Sequence, residues 1–344
     1  MVSWLWIYFL RFSGLLAWAE RKIAASDGTV VLTLHRVLPD PDFQESNSPD
    51  GMVMRRQTFS NLLSFLSKNY DVVRLQDGFP PAKKGLTRTR LAVSFDDGWK
   101  DTGMVAFPLA VENRIPFTVF VCSDFAGQHS PFWPEQLTRA WRTAANSANQ
   151  AEEFSVICER GFPTKKFIPS RIGRLDELIN CMKTVSSTKR AELVRELVAL
   201  DPGNASPFSG LEGTMSWEET KTVDGDLCHI GSHGHSHEIL TRIPLEQARQ
   251  EIAVSKKQIA AHLGRECTMF AYPNGSWSNE VREIVLQEGY KKAFINSPGV
   301  WTNKTDSMLI PRVNLWENSI TNRSGKFSPT VFRYSVFWRA YKTG

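Results

Sequence analysis

The sequence predicts an α/β fold: a barrel of parallel strands wrapped by helices and interrupted by one long helical insertion. Three observations predict it. Short apolar runs rich in β-branched residues alternate with stretches of helical periodicity. Nearly every reactive side chain follows the C-terminal end of such a run, where parallel barrels build their sites. From about residue 127 to 225 the alternation stops and a polar, helix-patterned stretch takes over. Composition permits this, since 344 residues with 42% hydrophobic and 22% charged side chains can bury a large core. It excludes wholesale disorder, collagen-like repeats and a multi-span membrane protein. The net charge of +5, from 41 basic and 36 acidic residues, comes without a basic stripe, so no nucleic-acid partner is expected.

Taken in order, the expected strands are VVLTL at 30–34, VVRL at 72–75, LAVSF at 91–95 and FTVFV at 117–121. CHIGS at 228–232, MFAY at 269–272, AFIN at 293–296 and MLIPRVNL at 308–315 follow. Phe59, Leu62, Leu63 and Leu66 recur at i, i+3, i+4, i+7, one face of a helix. Another helix is expected from Pro244 to Leu263. Within the insertion, ELVRELVAL at 192–200 is amphipathic, and Ser216-Trp217-Glu218-Glu219 has the form of a capping box that starts a helix. Cys122, Cys158, Cys181, Cys228 and Cys267 are scattered singly, an odd set that favours a reducing compartment over a disulfide framework.

The ends differ from this middle, dividing the chain into 1–28, a barrel over 29–315, and 316–344. Residues 1–19 are almost all apolar, yet Arg11 sits among them, which disfavours a spanning helix. An interfacial helix fits better, with tryptophans at headgroup depth and Arg11, Arg21 and Lys22 near lipid phosphate; a cleaved leader, or a helix packed on its own domain, is the alternative. Residues 324–344 set Phe327, Phe332, Tyr334, Phe337 and Trp338 among basic residues, with no acid after Glu317. This reads as a second membrane-facing patch or as an ordinary terminal helix. Both ends suggest a location in the cytoplasm or at the inner face of a membrane, with the cell envelope as the alternative.

The chemistry is concentrated at two places. In LAVSFDDGWKD an apolar strand runs into Asp96 and Asp97 and is turned by Gly98, so both carboxylates can aim into one pocket; alone, this could be a solvated turn. In IGSHGHSHEIL, His233 and His237 are four apart, the spacing at which a helical turn lets two imidazoles share one divalent cation. Three of the seven histidines fall between 233 and 237, and His235, two along, is expected to face away. His229 and His129 carry no expected role. One carboxylate with two histidines makes a tripod with an open fourth position, the mark of a catalytic cation. The second carboxylate can then act as general base, and His35, at the end of the first strand, as general acid.

FDDG, then H-G-x-S-H, then FAYPNG resembles the polysaccharide deacetylase family, the NodB-homology domains of carbohydrate esterase family 4, over roughly 29–315. The resemblance implies a distorted (β/α) barrel that binds a divalent metal, usually zinc, and removes an N-acyl group, usually acetyl, from an amino sugar. It assigns Asp96 as base, Asp97, His233 and His237 as metal ligands, and the Asn274 backbone amide as oxyanion donor. The family's late histidine is absent after His262, but LTLHRV resembles the permuted group acting on poly-N-acetylglucosamine, which gives His35 the acid role. Where the family carries an arginine, this chain has Ala271, and Arg312 is the candidate substitute. Gly234 stands in place of the usual serine or threonine. The implied partner is a polysaccharide or lipid-linked glycan; the alternative is a glycan-binding barrel that has lost catalysis.

Overall fold

The computed structural model describes residues 4–77, 88–127, 132–170, 174–201 and 210–343. The strands are β1 (Thr29–Leu34), β2 (Arg36–Leu38), β3 (Val53–Arg55), β4 (Asp71–Val72), β5 (Arg90–Phe95), β6 (Phe117–Val121), β7 (Cys228–Ser232), β8 (Met269–Ala271), β9 (Lys292–Phe294) and β10 (Arg312–Asn314). The main sheet runs β10-β1-β5-β6-β7-β8-β9, and every ladder is parallel. A bridge from Phe294 to Ile310, just before β10, joins the last strand back to the first. The (β/α) barrel expected from the sequence is thus the observed fold.

Its distortion has local causes. β4 pairs with the start of β5 and β6 with its end, so one edge is shared by two short partners. The expected strand at 72–75 shrinks to Asp71–Val72. The expected strand at 308–315 shrinks to three residues because Pro311 cannot donate to a ladder. β2 and β3 form a separate parallel pair that periodicity did not signal.

Strand alternation divides the core. Val30, Leu32 and Leu34 of β1 face the surrounding helices, as do Leu91, Val93 and Phe95 of β5. Val31, Ala92, Phe120, Met269, Ala271 and Phe294 fill the barrel interior. The period of two therefore carries the interior rows of β1, β5 and β7 upward to His35, Asp96 and His233. The helices at Arg56–Asn69 and Leu245–Leu263 lie where the sequence put them, and Ser216 forms the expected capping box with Glu219.

The described part of the insertion folds as helices Trp133–Ala144, Ala148–Gly161, Leu175–Met182 and Ser187–Ala199, with Trp217–Val223 leading into β7. The first four share a core of their own, centred on Leu137, Trp141, Phe154, Phe167, Met182 and Leu197. At the C-terminus, Phe332 and Phe337 turn inward and join the main core, which removes them from any membrane-facing patch. Among the described residues, no helix is long and apolar enough to cross a membrane.

Candidate active site

Four strand ends deliver the site. β1 ends at His35, β5 at Asp96 and Asp97, β7 at His233, and β8 at the turn holding Asn274. Together with His237 they line one cavity of about 360 Å³. Two of the turns depend on glycine. Gly98 has φ +79°, and a Cβ there would meet Val121 at 3.0 Å; Gly275 has φ +67°, and a Cβ would sit 2.5 Å from Asn296. Among the described residues, five non-glycines have positive φ, and Asp97 (74°), His237 (58°) and Asn274 (58°) are three of them. Strain of this kind persists only where surrounding contacts hold it, and it gathers at working sites.

Asp97, His233 and His237 place one donor atom each within 4.8 Å of one another. Asp97 Oδ1 lies 3.5 Å from His233 Nε2 and 3.4 Å from His237 Nε2. Donors about 2.0–2.1 Å from a tetrahedral cation are separated by roughly 3.3–3.4 Å, so the spacing fits a shared cation. The remaining bonds orient the set. Trp99 Nε1 donates to Asp97 Oδ2 at 2.9 Å, and the Ala271 carbonyl, 2.8 Å from His233 Nδ1, accepts its proton and turns Nε2 into the site. Buried Asp97 Oδ1 is left without a hydrogen-bond partner. A buried carboxylate oxygen so exposed to two imidazoles is costly unless a cation completes it. Burial also pushes His237 down to about 4, keeping it neutral, the form that ligates.

The pair 233 and 237 does not sit on a helical turn, as the spacing suggested. The chain leaves β7 as an irregular loop, and left-handed Gly234 (83°) and His237 bring the rings to 5.2 Å. Glu251 holds this loop by accepting from the backbone N–H groups of His235 and Ser236, at 3.1 and 2.7 Å. His235 faces Ser123 Oγ at 2.9 Å, away from the tripod. His229 lies lower on β7, and His129 falls outside the described residues.

Arg312 meets Asp96 as a two-pronged fork, Nη1 to Oδ1 at 2.6 Å and Nη2 to Oδ2 at 2.7 Å, both side chains buried. Burial alone would raise the Asp96 carboxyl, but Arg312, His233 and His35 outweigh it and hold it well below the usual carboxylate range. Asp96 is therefore ionised and fixed in orientation, 4.0 Å from His233 Nε2. Asp96 is thus paired with a guanidinium arriving from β10, while position 271 carries an alanine. His35 Nδ1 is buried and unpartnered; burial lowers its proton affinity, with Asp97 and Asp96 pulling the other way.

Sequence reasoning did not single out the residues with which the insertion walls the site. Phe132 packs on His237 at 4.8 Å, and Glu135, Asn180 and Lys183 line the cavity. Glu135 is 2% exposed, and burial, outweighing Arg36, pushes its carboxyl up to about 8. Between pH 4.5 and 8 the unfolded chain releases this proton while the fold retains it, so the residue costs stability as pH rises, on the order of 3 kcal/mol at pH 7. Glu135→Gln, in chelator-treated protein, is expected to be more stable than wild type at pH 8 and equal to it at pH 4 in denaturant unfolding. A gap that does not widen with pH would contradict the assignment.

The fold and site define a class: a parallel (β/α) barrel with three side chains spaced to hold a cation and an arginine-paired carboxylate beside them, at the C-terminal ends of its strands. Residues 203–293 match the model described as polysaccharide deacetylase. That span holds His233, His237 and Asn274; His35, Asp96, Asp97 and Arg312 lie outside it. That part of the barrel is thus similar to the polysaccharide deacetylase family. Among solved structures, a Streptococcus pyogenes deacetylase, PplD, in complex with acetate is 13% identical with a TM-score of 0.53, covering 85% of this chain and 94% of that one. IcaB from Ammonifex degensii is 19% identical with a TM-score of 0.52, covering 85% and 94%. BC0361, a polysaccharide deacetylase from Bacillus cereus, is 15% identical with a TM-score of 0.53, covering 90% and 68%. At these identities the likeness is one of fold. No curated protein matches the sequence.

Proposed function

We propose that the protein hydrolyses the N-acyl bond, an acetamide, of an amino sugar in a polysaccharide or lipid-linked glycan, with zinc as its cation. The observation that carries this reading is the orphaned Asp97 Oδ1 between two imidazoles, beside an ionised and oriented Asp96. A divalent cation held by Asp97, His233 and His237 would supply Lewis acidity to the acyl oxygen and to the attacking water. Asp96 takes the proton of that water as its oxygen bonds to the acyl carbon. Arg312 keeps both Asp96 oxygens aimed and the carboxylate charged beforehand. The Asn274 backbone N–H, presented by a left-handed turn, donates to the oxygen on which negative charge develops. The C–N bond then breaks, and His35 gives its proton to the departing amine. Burial makes the His35 imidazolium scarce, and by the same cause a strong proton donor.

A rival reading, a glycan-binding barrel without catalysis, has the missing arginine at Ala271 as its main support, and the Arg312–Asp96 fork weighs against it. Zinc-loaded protein incubated with N-acetylglucosamine oligomers is expected to release acetate, and chelation to stop it. Oligomers bound without acetate release would favour the rival. We propose that the enzyme works in the cytoplasm or at the inner face of a membrane, with the cell envelope as the alternative.

A further inference from the structure

The helices at Trp4–Phe12 and Leu15–Ala25 present an apolar face that the barrel does not cover. In the first, Ile7 and Leu10 pack inward, while Leu5 and Phe12 are 80% and 81% exposed and Phe9 is 55% exposed. Trp6 and Tyr8 are exposed beside them, with Trp6 stacked on Phe9 at 5.4 Å. In the second helix, exposed Trp18 meets the edge of Tyr341 at 4.9 Å, which continues the aromatic surface onto the C-terminal helix. Exposed Arg11, Arg21 and Lys22 border this surface, Lys22 lying 5.8 Å from the Trp18 ring. Glu20, the acidic side chain of these two helices, is taken up by Arg333 at 3.1 Å. Arg323 lies over Trp4 at 5.8 Å and adds a further cation beside the first helix.

We propose that this face seats the protein on an anionic membrane surface, its rings in the headgroup layer and its basic border against lipid phosphate. The first helix has nine residues, about 14 Å of length, too short to span a hydrocarbon core of about 30 Å, so it lies on the bilayer. Charge decides between lipid and a second copy of the chain. A two-fold contact through this face would bring two surfaces bordered by the same cations together with no acid to match them, since Glu20 is taken up by Arg333, whereas an anionic leaflet complements them. This inference does not depend on the hydrolytic reading.

The test is sedimentation of the full chain with vesicles of phosphatidylcholine, or of phosphatidylcholine and phosphatidylglycerol in equal parts. Wild type is expected to sediment with the mixed vesicles and to be released by high salt. Phe9→Asp combined with Phe12→Asp should weaken binding at least about tenfold without changing the melting curve, because both side chains are exposed. Arg11→Glu combined with Lys22→Glu should weaken binding to mixed vesicles and reduce its salt dependence. The proposal is overturned if wild type stays in the supernatant or if both variant pairs bind as wild type does. It is equally overturned if wild type is a dimer that the phenylalanine substitutions convert to monomer.

Discussion

Asp96→Asn is expected to lower turnover by about 10²–10⁴ while leaving cation binding unchanged. The asparagine amide has nearly the shape of the carboxylate and can still accept one bond from Arg312. It cannot take a proton from water. The substitution also leaves the buried Arg312 guanidinium without its counter-charge, which costs stability. Melting curves and bound-zinc content must therefore accompany the rate. Full activity in a folded, zinc-loaded Asp96→Asn protein would show that another group is the base.

Asp97→Ala is expected to lose the cation and the activity together. It removes the carboxylate oxygen that both imidazoles approach, and it strips Trp99 Nε1 of its acceptor. Changes to groups that merely orient a ligand cost about 10–100-fold in metal affinity, so losing a ligand should cost at least about 100-fold. Zinc titration by calorimetry reads this directly. The two variants thus separate roles that adjacent positions in the sequence leave indistinguishable: one loses proton transfer, the other the cation.

The site was legible in the sequence where its chemistry follows directly from a strand. Asp96 and Asp97 end β5 and His35 ends β1, so an apolar run followed by a reactive side chain located them. The His233–His237 spacing pointed to neighbouring imidazoles, and the structure brings them together by a geometry other than the expected helical turn. Left-handed residues at Gly234 and His237 do the work a helical turn would have done, and only Gly234 hints at this in sequence. The Asp96–Arg312 pair joins residues 216 apart, and nothing local marks it; it became a candidate only because an arginine was missing at Ala271.

The insertion was the least readable part. Its helices were expected, but their separate core and their contribution to the cavity depend on packing between segments far apart in sequence. Glu135, on a helix beginning at Trp133, has the pattern of a solvated acid and is instead buried beside Trp133 and Phe132. A residue that costs stability where it sits points to a use in the cavity it lines. At the termini the aromatic residues were visible but not their direction. Phe332 and Phe337 went to the core, and Phe9 and Phe12 to the surface.

The most direct measurement of the central claim is anomalous diffraction at the zinc edge from crystals grown with zinc. A single strong peak about 2.0–2.2 Å from Asp97 Oδ1, His233 Nε2 and His237 Nε2 is the predicted result. A peak bound elsewhere, with these three donors left apart from it, would contradict the account.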